Sequence, residues 1–324
     1  MPSLENTGGI YVILKHASIL KDFGWDVDLL IPDEDIDLFK FENKIFNVIN
    51  LKNSIIESQY DIIVATLFTT LYSIINYFRA KKHLYLVQGY ETDFSPFGNK
   101  LRLIAEKTYS FNFKIEYITI SKWCESWLWK KYKKKSRYVP NGIDFDNFKY
   151  YKRNLNKNKI RILIEGDNAS FFKNVDESFK IISKLDKNKF EVWYLSYNGL
   201  PKKWYKYDKL YHKIPHEKVK EIYYECDILI KSSWLESFSY PPLEMMATGG
   251  YVIVVPNNGN KEYLKDEQNC LFYKLGDIDS AIRSIMRLIS DNKLQKKLYE
   301  KGLETAKNRN WNNIKNQIIK LYNS

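Results

Sequence analysis

Glu236 and Glu244 stand eight positions apart in ESFSYPPLEMMATGG (236–250), with Pro241-Pro242 between them and Gly249-Gly250 behind. An ordinary strand-to-helix junction does not need two carboxylates around a stiff step. A carboxylate repels phosphate, but it accepts hydrogen bonds from two neighbouring hydroxyls. Pro242 suits the first position of a helix, because its φ is fixed and its missing N–H is not needed there, and Gly249-Gly250 stops that helix. The helix would start just after the apolar run Asp227-Ile-Leu-Ile-Lys-Ser-Ser, which reads as a parallel strand, and ligands of open α/β sheets bind outside such strand ends. Its amino end offers N–H groups and a positive dipole, a seat for a diphosphate. Hydroxyls on both sides of a diphosphate describe a nucleotide sugar, with ribose at one end and hexose at the other. The plainer reading is a helix with an acidic first turn.

The elements that must position these residues alternate between short apolar runs and helical-period segments, the pattern of parallel α/β layers. GGIYVILKHASILKDFG reads as a helix opened by glycines and WDVDLLIP as a strand. Strand DIIVAT, helix TLYSIINYFRAKK, strand HLYLVQGYE, a helix from about Lys100 and strand IEYITIS follow. Pro, Asn-Gly and a Lys- and Asn-rich run mark a turn and linker at 139–161. The alternation then restarts with strand IRILIEG, helix NVDESFKIISKL, strand FEVWYLS and helix HEKVKEIYYEC. Strands DILIKSS and YVIVVP flank the two-glutamate stretch, and helices run from Asp277 on. Two such units joined near residue 148 predict two Rossmann-like domains facing across a cleft.

The totals fit this reading. The 324 residues, 44% of them hydrophobic, suffice for two folded domains. The formal charge of +12 asks for an anionic partner without naming it. Three scattered cysteines with no Cys-x-x-Cys pair support neither a disulfide framework nor a zinc site, and a reducing, cytoplasmic setting is the expectation. The start, MPSLENTGGI, lacks the pattern of a signal peptide, and the most apolar window, 60–78, divides into a strand and a helix instead of spanning a membrane.

The ordered set of motifs resembles retaining, GT-B-fold glycosyltransferases of family 4 (glycosyl transferases group 1). Glu-x7-Glu followed by Ala-Thr-Gly-Gly matches the donor-site signature. TGGIYVILKHASIL, TISKWCESWL, VPNGIDFDNF, IEGDNASFFKNV, NGNKEYL and RNWNNIKNQIIKLY fall in the family's order around it. The resemblance implies an N-terminal acceptor-side domain over 1–148, a nucleotide-sugar domain over 149–305 and a C-terminal helix, 306–324, crossing back. It implies that Glu244 binds the ribose diol and that Glu236 sits by the donor sugar's hydroxyls and the diphosphate. It also places the amides of Phe238, Ser239 and Tyr240 along sugar and diphosphate, Lys173 on the leaving diphosphate, and Gly8 and Gly9 at the diphosphate from the first domain. Glu236 and Lys173 are the implied catalytic pair. The implied enzyme needs neither metal nor cofactor, with the nucleoside diphosphate-sugar as substrate and a surface glycan or lipid-linked acceptor as partner.

Three departures stand out. Asp167 holds the place where the family commonly has an arginine, so Lys173 works alone or another cation, such as Lys231, replaces it. Where some members have a histidine, this chain offers Gln88, Tyr90 and Glu91 as acceptor-side candidates. Only seven residues precede Gly8, so the first strand of the N-terminal domain is expected to be missing, as in a truncated form or one part of a larger polypeptide.

Other features carry rival readings. The segment SKWCESWLWKKYKKKSR (121–137) has seven basic residues against one acid. It reads equally as a surface helix with Trp123 and Trp127 packed inward or as a peripheral patch on anionic membrane. Asp-x-Asp pairs occur at Asp26/Asp28, Asp33/Asp35, Asp35/Asp37, Asp144/Asp146 and Asp277/Asp279, and short pairs arise readily without holding metal. His16, His83, His212 and His216 show no ligand spacing; His16 is expected on the first helix and His212 in a loop that could border the base. Charge and aromatics suggest nucleic-acid binding, but no recognition module is present, so no nucleic-acid partner is expected. A catalytically inactive GT-B module that binds a partner is the other alternative.

Overall fold

A computed structural model describes residues 1–4, 7–32, 36–50, 60–77 and 79–324. The chain forms two compact units, one of Met1–Asn141 with Ile314–Ser324 and one of Gly142–Asn313.

The first unit opens with α1 (Gly8–Asp22), whose N-cap Thr7 accepts the Ile10 N–H at 3.3 Å. Strands β1 (Asp28–Ile31), β2 (Leu38–Phe41) and β3 (Lys44–Asn50) form one sheet in the order β1-β3-β2, with β1 parallel to β3 and β2 antiparallel to it. Then come β4 (Tyr60–Ala65), α2 (Phe68–Tyr77), β5 (Ala80–Val87), α3 (Lys100–Thr108), β6 (Glu116–Thr119), α4 (Lys122–Tyr132) and β7 (Ser136–Tyr138). Their strands make a parallel sheet in the order β4-β5-β6-β7. Among the described residues no strand precedes α1 and none joins β1 to β4. A mainly apolar cavity of about 160 Å3 lies there, lined by Leu29 and Leu30 of β1, Ile62 and Val64 of β4, and Ala17 and Leu20 of α1. The buried Met1 amine donates to the Leu30 carbonyl at 2.6 Å beside it.

The second unit contains β8 (Ile160–Glu165), α5 (Val175–Ser183), β9 (Phe190–Ser196), β10 (Lys209–His212), α6 (His216–Glu225) and β11 (Ile228–Lys231). It continues with α7 (Tyr240–Ala247), β12 (Tyr251–Val254), β13 (Leu271–Phe272), α8 (Ile278–Ser290) and α9 (Asn292–Asn308). A last helix, α10 (Trp311–Asn323), runs on into the tail of the first unit. The six strands form one parallel sheet in the order β10-β9-β8-β11-β12-β13. Helices cover such a sheet, so its central strands are mainly apolar: Ile162, Ile164, Ile228, Ile230 and Ile253 share a core with Phe179 of α5 and Ile285 of α8. From β8 the chain goes to β9 and β10 on one side and to β11, β12 and β13 on the other. The carboxyl ends of β8 and β11 are therefore the topological switch point, where open α/β sheets bind ligands.

Several elements differ from their sequence expectation. The β2–β3 hairpin was not anticipated, because β2 has only four residues and only its Phe39 and Phe41 face is half-buried. Its turn residue Glu42 has φ +53°, and Lys15 and Ser18 of α1 hold its carboxylate at 2.5 and 2.9 Å. RAKK was read as the end of a helix, yet β5 begins at Ala80 and stops before Gln88. His212 is the last residue of the edge strand β10 and not part of a loop. The stretch read as a linker carries Arg153, which is 1% exposed. Its guanidinium donates to the carbonyls of Tyr151, Tyr223, Tyr224, Cys226 and Thr248. One cation thus satisfies backbone carbonyls at the ends of α6 and α7, where the helix dipole is negative.

Candidate functional site

The structure draws the second unit's predicted residues together at the switch point. Lys173 ends a 3-10 turn, Phe171–Lys173, and its Nζ spans both Glu236 carboxylate oxygens at 2.8 and 3.0 Å. Lys231, the last residue of β11, lies 3.4 Å from Glu236 and 2.5 Å from Glu165, the last residue of β8. Burial pushes the Glu236 carboxyl up, but the two lysines outweigh it and hold it below the ordinary carboxylate range. Glu244 is shifted the other way. Burial, and then the charge of Glu165, raise it to about 7, against the opposing effect of a Tyr223 hydrogen bond and Lys231.

The helix between the glutamates starts two residues earlier than the prolines suggest. Tyr240 is its first residue, so Pro241 and Pro242 stand second and third. They fit because the first four N–H groups of a helix have no partner within it. Two of those four positions therefore carry no N–H, and Tyr240 with the preceding backbone supplies the amides at this end. Ser239 caps α7 at φ +74° and ψ +90°, a costly conformation for a non-glycine residue, and among the described residues its buried Oγ has no hydrogen-bond partner. Tyr263 donates to the Ser239 carbonyl and packs on Phe238, which is also buried. At the far end, Gly249 at φ +81° lets the Gly249 and Gly250 amides reach back to Met246 and Met245 at 2.9 and 3.0 Å.

Sequence reasoning missed the parts that press on this loop. A Cβ on Gly259 would come within 2.6 Å of the Phe238 nitrogen, so only glycine admits the 236–238 backbone there. Gly259 is held by Asn257 and Asn260. Asn257 Oδ1 accepts the Gly259 and Asn260 amides at 3.1 and 2.9 Å, and its Nδ2 donates to the Ser233 carbonyl at 2.9 Å. The signal was the Asn-Asn-Gly-Asn run over 257–260, which overlaps NGNKEYL. Tyr197, half-buried beyond β9, lies near enough to Glu165 and Glu244 that burial and their charges push its hydroxyl up to about 12. Arg309 packs over Phe238 and pairs with Glu262 at 3.7 Å. Asp167, in the place of an arginine, accepts the Ala169 amide at 3.0 Å and shapes its own turn.

The first unit brings together a different set. Gly8 and Gly9 open α1, and a Cβ on Gly9 would lie in ordinary contact with the Gln88 side chain at 3.5 Å. Tyr90 is buried, with its hydroxyl next to the Tyr132 hydroxyl, the Glu106 carboxylate and the Lys131 ammonium. Glu91 accepts the Phe68 amide at the start of α2 at 2.7 Å and the Tyr85 hydroxyl at 3.1 Å, and burial raises its carboxyl to about 8. His16 is buried against the Tyr322 hydroxyl at 3.2 Å, and burial lowers it to about 4.

The remaining candidates have local tasks. Trp127 packs inward among Tyr90, Tyr109 and Tyr132, whereas Trp129 is 48% exposed beside the lysines of α4. Asp28 binds Asn47 and Tyr60, Asp146 binds Asn310 and Asn312, Asp277 caps α8, and Asp279 pairs with Lys184. Asp33 and Asp35 lie outside the described residues. Among the described residues no helix is long and apolar enough to cross a membrane.

Residues 149–305 match the family model described as Glycosyl transferases group 1. A lipopolysaccharide core biosynthesis glycosyltransferase of Rhizobium meliloti (strain 1021) is 32% identical over 79 residues, 24% of this chain and 23% of that protein. The match therefore spans about a quarter of that relative's length. Sucrose-phosphate synthase from Thermosynechococcus elongatus is 16% identical, with 98% of this chain and 93% of that one covered at a TM-score of 0.79. Anabaena HepE, solved in complex with UDP-glucose, is 15% identical, with 81% of this chain and 78% of that one covered at a TM-score of 0.66. These structural likenesses establish the GT-B fold.

Proposed function

We propose, from a second unit whose residues 149–305 match the glycosyl transferases group 1 family model, that the chain is a retaining, metal-independent glycosyltransferase. It takes its sugar from a nucleoside diphosphate donor and delivers it to an acceptor hydroxyl in surface polysaccharide or glycan synthesis. The observation that carries this reading is the Lys173–Glu236 pair beside the amino end of α7, with the buried Glu244 on the same helix.

Lys173 supplies a positive charge where the leaving diphosphate gains negative charge, and such preorganised electrostatics lower barriers most. The bond from the sugar's anomeric carbon to the diphosphate oxygen breaks, and that oxygen keeps the electron pair. The acceptor oxygen bonds to the same carbon from the face just vacated, and its proton passes to the departing diphosphate. Glu244 accepts hydrogen bonds from the ribose diol, Glu236 faces the sugar hydroxyls, and the amides of Phe238, Ser239 and Tyr240 line sugar and diphosphate. Tyr197 offers a flat face to the base. Gln88, half-buried beside Gly9, is the acceptor-side candidate.

The acceptor is a glycan or a lipid-linked glycan, and segment 121–137 is the peripheral membrane contact. Trp129, 48% exposed with the Lys133 ammonium over its ring, supports an interfacial contact among lysines. The protein then works in the cytoplasm on the inner face of the membrane. Transfer from nucleoside diphosphate-sugars, with product configuration read by NMR and EDTA present, tests the reading. Retention in EDTA, with a kcat loss of about a hundredfold in Lys173→Ala, is expected. Inversion, or unchanged kinetics in Lys173→Ala, overturns it.

A further inference from the structure

Two lysines hold Glu236, and they are not equivalent. Lys173 stands on a 3-10 turn with its side chain 23% exposed, whereas the Lys231 side chain is 2% exposed. Lys231 projects from the end of β11 onto the carboxylate that ends β8, and its Nζ also lies 3.5 Å from the Glu165 carbonyl. β8 and β11 pair in register up to Ile164 and Ile230, so the next position of each strand puts Glu165 beside Lys231 at the switch point. The two lysines balance Glu165 and Glu236 in charge.

An incoming diphosphate changes this balance. Its charge draws the ammonium of Lys173, the more accessible cation, away from Glu236, and a new anion beside a buried carboxylate favours protonation. Lys231 cannot follow, because the sheet fixes its stem and Glu165 fixes its head. We infer that Lys231, anchored by Glu165, is a positioning residue that keeps Glu236 charged and in place while Lys173 transfers to the donor's diphosphate. This inference rests on the donor-site reading above. The groups that face Glu236 are Lys173 from the 3-10 turn, Lys231 and Ser233 from β11 and the loop after it, and Tyr263 from the loop after β12. Glu165 from β8 acts through Lys231, and Glu244 of α7 is a further buried carboxyl coupled to that pair.

Lys231→Met alone strands Glu165 and risks misfolding. Lys231→Met/Glu165→Gln removes one charge of each sign and leaves Lys173 with Glu236. The readout is 13C NMR of the glutamate carboxyls, with Glu236 assigned through Glu236→Gln, titrated with and without saturating UDP. In the native protein Glu236 stays ionised to below the ordinary carboxylate range in both conditions. In the double variant its midpoint rises by about one pH unit or more when UDP is added, and kcat falls about tenfold with little change in KM. A Glu236 midpoint in the double variant that UDP leaves unmoved assigns Lys231 a structural role and overturns the inference, with the donor reading intact. If UDP, GDP, dTDP and ADP all fail to bind the native protein, the donor reading falls and the inference with it.

Discussion

The second unit joins its six strands in one parallel sheet, whereas the first divides its described strands between a three-stranded and a four-stranded sheet. In the second, strand ends meet at a switch point and place charged side chains against each other under cover. In the first, the facing edges of β1 and β4 frame an apolar cavity of about 160 Å3. A void forfeits the contacts its lining atoms would make, so the first unit has stability to gain and the second mainly has stability to lose. Buried charge is tolerated where a continuous sheet fixes its partners, as with Lys231 between Glu165 and Glu236.

The largest effect should come from the second unit's staple. Arg153→Met leaves five buried or half-buried carbonyls without their donor, and unfolding by urea should show a loss of about 3–5 kcal/mol. A loss below about 1 kcal/mol would erase the supposed contrast.

The next effect is pH-dependent and touches both units. Glu244 is raised to about 7 and Glu91 to about 8 in the folded protein, so the folded state binds more protons than the unfolded state above the ordinary carboxylate range. Stability contributed by these groups is therefore highest at low pH and falls as pH rises from about 4.5 through 7 for Glu244 and through 8 for Glu91. At pH 8.5, Glu244→Gln and Glu91→Gln should each unfold later than the native protein, by roughly 1–3 kcal/mol, and the gain should vanish near pH 5. Equal differences at the two pH values would contradict the assigned burial.

The smallest effect belongs to the cavity. Ala17→Leu should fill part of it and stabilise the first unit by about 1 kcal/mol, seen as a raised midpoint and slower amide exchange in β1 and β4. Destabilisation would mean that the space between the sheets is already committed.

Much of this was legible in the sequence, for physical reasons that differ by element. The apolar runs of β8, β9, β11 and β12 announce strands buried on both faces. The spacing of Glu236 and Glu244 around a proline step announces a loop-to-helix junction with a task. Lys173 was placed by a motif. The Glu165–Lys231 contact was not legible, because it depends on the register of two strands that lie 66 positions apart in sequence. Gly259 looked like a turn residue until the backbone of residues 236–238 was seen against it. The linker reading of 139–161 failed at Arg153, since composition alone does not reveal that a polar segment lays one arginine into a nest of carbonyls. β2 escaped notice because four residues, with an exposed Leu38 among them, are too short a run for alternation to announce a strand.

The central claim is that the second unit's acidic pair and Lys173 form a nucleoside diphosphate-sugar site. A thermal-shift titration with UDP, GDP, dTDP, ADP and CMP, on the native protein and on Glu244→Ala, tests it most directly. The account predicts that one diphosphate raises the native midpoint and that the rise is lost in Glu244→Ala. No rise with any diphosphate, or an equal rise in both proteins, would contradict it.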